Sequence, residues 1–329
     1  MELSKPRFGV GLFDRSLSTP EAIVNFALTA EKFGFDSVWM PDHAFFPFEA
    51  LTTLTAVAVK TRNVKVGTCV IDLNRRHPAT LAQSTSTIDI ISGGRFILGV
   101  GKGVKNEPTY GVRVHEQVSR MLEILKITKM FWTDPVVNYR GSFYTFENAS
   151  IGTRPLQKPH PPVWVAAFGP RMIKIAAEIG DGFITQNMSP EMYQEKLNQL
   201  RETAKKAGRD RKEITAVFSA PMSISLEREA ALMQIEPWAR DFLSRYAKPP
   251  WSFAEKLGYR TQWTKPEEVP IEAIDRCYIF GTPDECVSKV DKYLKAGVEY
   301  FICLPLLPAT TDSLKLFSKK VIEYFKEYR

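Results

Sequence analysis

Reactive side chains cluster at a few positions of this 329-residue chain, each directly after an apolar run. Asp42-His43 follows Asp36–Met40, so an acid and an imidazole stand where a strand would end. A histidine there ionises near neutrality and can donate or accept a proton; the bland alternative is a loop cap. Cys69-Val70 closes the next apolar run beside Gly67, a small and β-branched stretch that could bulge beneath a flat ring. The sequence suggests no histidine partner that would make Cys69 a nucleophile. Arg75-Arg76-His77 comes next, suited either to an acidic ligand tail or to capping a helix in water.

Gly99, Gly101 and Gly103 superficially match a dinucleotide fingerprint, but GxGxG is not GxGxxG and no acidic residue closes the unit some twenty residues on. Glycines at a strand end more simply let a ring approach the backbone. Asn106 just beyond could hydrogen-bond a ring carbonyl, and Glu107 could serve as an acid or be an ordinary loop residue. Phe168-Gly169-Pro170 leads from a strand into a helix, whose free N–H groups make an anion site. Thr185 and Gln186 end the following strand with hydroxyl and amide donors. The alternative for this pair of segments is ordinary helix capping.

Positioning these groups requires a repeated βα unit. Apolar runs at Phe8–Phe13, Asp36–Met40, Val64–Ile71, Arg95–Val100, Pro162–Ala167, Gly182–Thr185, Ile214–Ala220 and Tyr300–Leu304 predict eight strands with helical spacing between them. Pro20, Pro170, Pro190 and Pro283 each fall at the first position of a predicted helix, where the missing N–H has no partner to lose. Thr282 to Glu285 reads as a capping box. βα repetition forces parallel pairing, and eight units favour a closed (β/α)8 TIM barrel over an open flavodoxin-like sheet. The whole chain, 1–329, reads as one such domain with two insertions: a β-hairpin at about 135–150, and an aromatic-rich stretch at about 233–275 that is either a packing layer or a lid over a substrate.

With 44% apolar and 25% charged residues the composition is that of a globular enzyme, and the net charge of +7 is either an ordinary solvated basic surface or an attraction for a polyanionic ligand. Lysine and arginine are dispersed rather than clustered with aromatics, which argues against nucleic acid. The four cysteines form no CxxC pair, which fits reduced thiols and argues against a zinc knuckle. No apolar run is long enough to span a bilayer or to act as a signal peptide, so the expectation is a cytoplasmic protein without a membrane partner.

Taken together, Trp39-Met40-Pro41-Asp42-His43, Arg76-His77-Pro78, Ser92-Gly93-Gly94-Arg95, Gly99-Val100-Gly101, Asn106-Glu107, Pro159-His160-Pro161-Pro162, Gly169-Pro170, Asp181-Gly182 and Gly281-Thr282-Pro283 resemble the bacterial-luciferase-like superfamily over nearly the whole chain. Within it the chain is most similar to the branch using coenzyme F-420, a deazaflavin, which includes methylene-tetrahydromethanopterin reductase, secondary alcohol dehydrogenase and glucose-6-phosphate dehydrogenase types. The resemblance implies hydride transfer between F-420 and a methylene-tetrahydropterin, a ketone or an activated alkene. It puts His43 at the reacting carbon, Asp42 near the ring, a non-proline cis peptide at Cys69-Val70 beneath it, and Asn106 in contact with it. Gly169, Pro170, Thr185 and Gln186 would hold the phosphate, and Phe168, Gly101 and Arg76 complete the expected cofactor-binding set. The glutamate that the glucose-6-phosphate type carries in the glycine-rich loop is not matched: Val104 stands near its place, which disfavours a sugar phosphate. The same superfamily leaves a reduced-FMN-dependent monooxygenase, and a non-catalytic flavin-binding protein, as alternatives, and implies a homodimer.

Overall fold

The computed structural model describes residues 5–14, 16–43, 46–103, 116–248, 252–260 and 262–327. Eight strands form a ring: β1 (Arg7–Gly11), β2 (Ser37–Met40), β3 (Lys65–Thr68), β4 (Phe96–Gly101), β5 (Val163–Ala166), β6 (Gly182–Gln186), β7 (Thr215–Ile224) and β8 (Tyr300–Leu307). Each pairs in parallel with the next, and β8 returns to β1 through Arg7↔Tyr300 to Val10↔Cys303. The sheet is therefore the closed barrel that the βα spacing predicts. Two short strands lie outside the ring, Ile71–Asp72 against β4 and Ile279–Gly281 against β7. The expected continuous strand at 64–71 is thus split, with Cys69–Val70, a cis peptide, between its two pieces.

Helices α1 (Pro20–Lys32), α2 (Ala50–Lys60), α3 (Pro78–Ser92), α4 (Gln117–Thr133), α5 (Pro170–Ile179), α6 (Pro190–Lys206), α7 (Arg228–Tyr246) and α8 (Pro283–Lys295) surround the ring. All four singled-out prolines sit at helix starts, and the Thr282–Glu285 capping box forms. The hairpin also forms, from Val137–Arg140 and Thr145–Ala149. Its turn is pinned by the buried Glu123 carboxylate, which accepts the backbone N–H groups of Ser142, Phe143 and Tyr144 at 3.1, 3.0 and 2.8 Å. The aromatic-rich stretch does not begin at a break: position 233 falls inside α7, which runs through Pro237. Beyond it, Phe253 and Trp263 are buried, so part of the stretch is a packing layer.

The barrel axis is filled by rings. Trp39 stacks on Trp164 at 5.0 Å, and Tyr300 meets Trp164 edge-on at 5.0 Å. Gly67 and Gly182 make the room, because a Cβ at either would fall within an indole. Ser37 Oγ accepts from Trp39 Nε1 at 2.5 Å and from Tyr300 Oη at 2.7 Å, so both polar edges of this plug are satisfied. Arg95, from the Ser-Gly-Gly-Arg motif, serves the opposite end: its guanidinium binds the carbonyls of Ala58 and Val64 and ties α2 to the start of β3.

Candidate active site

A cavity of about 620 Å³ opens at the carboxyl ends of the strands, the usual site face of this architecture. His43, Cys69, Gly101 and Gly169, drawn from four different strand exits, all line it. Asp42, Val70, Phe168, Pro170, Thr185 and Gln186 line it as well. Asn106 and Glu107 lie outside the described residues. Arg76 is absent from the described lining; Arg75 is there instead.

The floor is built by β3 and β4. Cys69 packs against the ring plug and its Sγ lies 3.8 Å from Ser219 Oγ. Burial pushes the Cys69 thiol up to about 12, so it is a protonated, apolar surface and not a nucleophile. Gly101 faces Val70: a Cβ there would stand 2.6 Å from Val70 Cγ2. Gly103 has φ +77° and packs on the Asp72 carboxylate, which a side chain would displace. Gly99, where a Cβ would strike the Thr68 carbonyl, Gly101 and Gly103 thus let β4 close on the β3 exit.

One wall is the start of α5. Thr19, Ser189 and Thr282 cap α1, α6 and α8 with side-chain oxygens, whereas Gly169 at the start of α5 offers none. Its first turn faces the cavity through Gly169, Pro170, Arg171 and Met172, leaving first-turn N–H groups for an anion. Thr185 and Gln186 adjoin it from β6. Above, Phe168 packs at 5.2 Å from Tyr246 and 5.4 Å from Phe253, so α7 and the short helix Phe253–Lys256 brace this wall, and Tyr246 reaches the cavity.

The opposite wall carries charge. Arg76 grips Asp42 through Nη1–Oδ2 at 2.6 Å and Nη2–Oδ1 at 2.9 Å, and holds Glu49 Oε1 at 2.6 Å. Burial alone would lower the Arg76 guanidinium, but the two carboxylates more than offset this and hold it above its ordinary value. Asp42 is accordingly an ion-pair partner of Arg76. Arg75 Nη1 is buried with no hydrogen-bond partner among the described residues, and stands 3.9 Å from Asp42 Oδ1. Beside this wall the His43 ring meets Phe46 at 6.2 Å; Phe46 packs on Phe13 at 4.4 Å, and Phe13 on Trp238 at 5.9 Å. Asp72, Lys102 and Tyr246 were not singled out as site residues in the sequence. The signal for the first two was their place beside the β3 and β4 exits; for Tyr246 there was only aromatic density.

A cavity at the carboxyl rim of a closed parallel barrel, with an imidazole, an anion cradle and an apolar floor, defines a barrel enzyme for a large anionic ligand. A family model described as luciferase-like monooxygenase matches residues 5–300, and the chain belongs to that family. An F-420-dependent glucose-6-phosphate dehydrogenase of Amycolatopsis mediterranei is 34% identical over 300 residues, 86% of this chain and 88% of that protein. A 5,10-methylenetetrahydromethanopterin reductase of Archaeoglobus fulgidus is 29% identical over 316 residues, 90% of this chain and 93% of that protein. The solved coenzyme F-420 dependent tetrahydromethanopterin reductase of Methanopyrus kandleri superposes with a TM-score of 0.84 at 25% identity, covering 98% of this chain and all of that one.

Proposed function

We propose that the chain is an F-420-dependent oxidoreductase that moves a hydride between the deazaflavin and an organic substrate. The observation that carries this reading is the convergence of His43, Cys69, Gly101 and Gly169 on one cavity. The residues present suit an anionic tricyclic cofactor: a helix start without a side-chain cap, and Arg75 Nη1, which has no hydrogen-bond partner among the described residues, answer negative charge, and a neutral floor at Cys69 and Val70 answers a flat apolar face. When bound, F-420 supplies a two-electron carrier that gives or takes hydride at a ring carbon.

In this reading the α5 N–H groups, Gly169, Pro170, Thr185 and Gln186 hold the phosphate. Cys69, Val70, Gly101 and Phe168 bound the ring, and the barrel plug below them excludes water. Asp42, locked by Arg76, fixes the rim. His43 moves a proton through an imidazole nitrogen at the substrate's oxygen or nitrogen as hydride moves at carbon. A chain of ring contacts runs from His43 through Phe46 and Phe13 to Trp238, and this apolar neighbourhood is the ground on which a ketone, a methylene-pterin or an activated alkene is favoured over a sugar phosphate.

Titration of purified protein with F-420 and, separately, FMN tests the cofactor; micromolar FMN binding without F-420 binding overturns it. Oxidation of reduced F-420 by a panel of acetone, a methylene-tetrahydropterin, an activated enone and glucose 6-phosphate tests the substrate class. His43→Ala is expected to slow turnover by about 10²- to 10⁴-fold, the usual worth of a positioned proton donor, with F-420 affinity within a few-fold. A large loss of affinity with unchanged turnover refutes the role given to His43.

A further inference from the structure

We propose that Arg76 is a positioning residue: it staples both ends of the loop that carries His43 and so sets where the imidazole stands. The sequence assigns Arg76 to a cofactor tail and Asp42 to a ring, but the geometry gives these residues to each other.

The guanidinium binds Asp42 with both nitrogens, at 2.6 and 2.9 Å, and the same Nη2 reaches Glu49 at 2.6 Å. Asp42 and Glu49 are the second and last residues of the segment 41–49, which leads from β2 into α2, and His43 is its third residue. The far end is itself built in: Glu49 caps α2 through the Thr52 N–H at 2.8 Å and accepts the Thr52 hydroxyl at 2.7 Å. The near end is tied to the neighbouring strand exit, because Asp42 Oδ2 accepts the Asp72 N–H at 3.0 Å and Arg76 Nη1 donates to the Asp72 carbonyl at 3.3 Å. The Asp42 side chain is only 3% exposed, so its carboxylate depends on these donors rather than on water. Only a planar fork with several donors can serve two carboxylates and a carbonyl at once; an ammonium at this place can neutralise charge but cannot span both ends.

The catalytic consequence rests on the reading of His43 as the proton-handling group, and the experiment separates the two. The chain has four histidines, so ¹³C-histidine NMR of the protein without ligand gives a short spectrum in which His43→Ala identifies the His43 ring signal. Arg76→Lys is expected to displace and broaden that signal while the His160 signal stays within its wild-type linewidth. An unmoved His43 signal in folded Arg76→Lys protein overturns the staple outright. If Arg76→Lys does not fold, Glu49→Gln loosens the far end alone and is expected to produce the same selective displacement.

Turnover of reduced F-420 with the active member of the panel forms the second arm. Arg76→Lys is expected to lower kcat by about tenfold to a hundredfold, the scale of an ångström-level misplacement, with F-420 affinity within about threefold. Added to His43→Ala it is expected to cost less than about twofold more, because the group it positions is already gone. A full loss in both backgrounds, or lost F-420 affinity with kcat unchanged, overturns the catalytic part of the proposal. Wild-type turnover by His43→Ala, with the His43 signal still displaced by Arg76→Lys, would refute the role of His43 and leave the staple standing.

Discussion

Ser37 carries more of the barrel's stability than its size suggests. Its hydroxyl oxygen accepts from both Trp39 Nε1 and Tyr300 Oη, and all three residues are fully buried. Space beside it is tight, since a Cβ at Gly9 would strike both Ser37 Oγ and Trp39 Nε1, so water cannot readily replace the hydroxyl. Ser37→Ala therefore leaves two buried donors without acceptors, and at about 1–3 kcal/mol per orphaned group the loss is roughly 2–6 kcal/mol. Tyr300→Phe removes one donor together with its need for a partner, and Ser37 keeps the indole, so its cost is about 1 kcal/mol. The double variant orphans only the indole, at about 1–3 kcal/mol, and is expected to lie closer to wild type than the sum of the singles, a coupling of about 2–4 kcal/mol. Urea unfolding at constant slope measures all three. A Ser37→Ala variant no less stable than Tyr300→Phe, or a strictly additive double, refutes the claim that this oxygen satisfies both rings.

Two other expectations are independent of that network. Gly101→Ala would put a Cβ 2.6 Å from Val70 Cγ2, so either Val70 or the strand shifts at the cavity floor; F-420 affinity in a fluorescence titration should fall at least about tenfold, roughly 1.4 kcal/mol, and an unchanged affinity would show that Val70 simply turns aside. The Glu49 carboxyl is held below its ordinary value, because burial, which would raise it, is outweighed by the Thr52 and Arg76 hydrogen bonds. A depressed carboxylate contributes stability that is present above the unfolded value of 4.5 and is lost as pH falls through the lower folded value. Glu49→Gln should thus be less stable than wild type at pH 7, with the gap in thermal midpoints closing below pH 4.5; a constant gap from pH 7 to 3 would contradict this.

The barrel was legible because each strand is an apolar run of suitable length, and because proline at a helix start has one physical meaning. The walls of the site were legible for the same reason: strand ends of a closed barrel must share a rim, so His43, Cys69, Gly101 and Gly169 had to converge once the fold was read correctly. The pairing of Asp42 with Arg76 was not legible. The two lie 34 residues apart, and each alone reads as a group offered to a ligand; only the adjacency of β2 and β3, with the short turn after Asp72, lets them consume one another. Helix α7 was hidden by Pro237 and by aromatic residues whose density suggested an insertion, because tertiary packing on Phe168 overrides the local penalty. The packing of Gly101 on Val70 and of Gly103 on Asp72 was not legible either, because a sequence does not reveal which side chains of the neighbouring strand exit stand beside a glycine.

The stacked indoles and Tyr300 make the barrel a well with a sealed bottom. Whatever rests on Cys69 and Val70 must pass the same mouth as whatever rests above it. Three side chains at the base thus close the axial route to that floor and leave the rim as its approach.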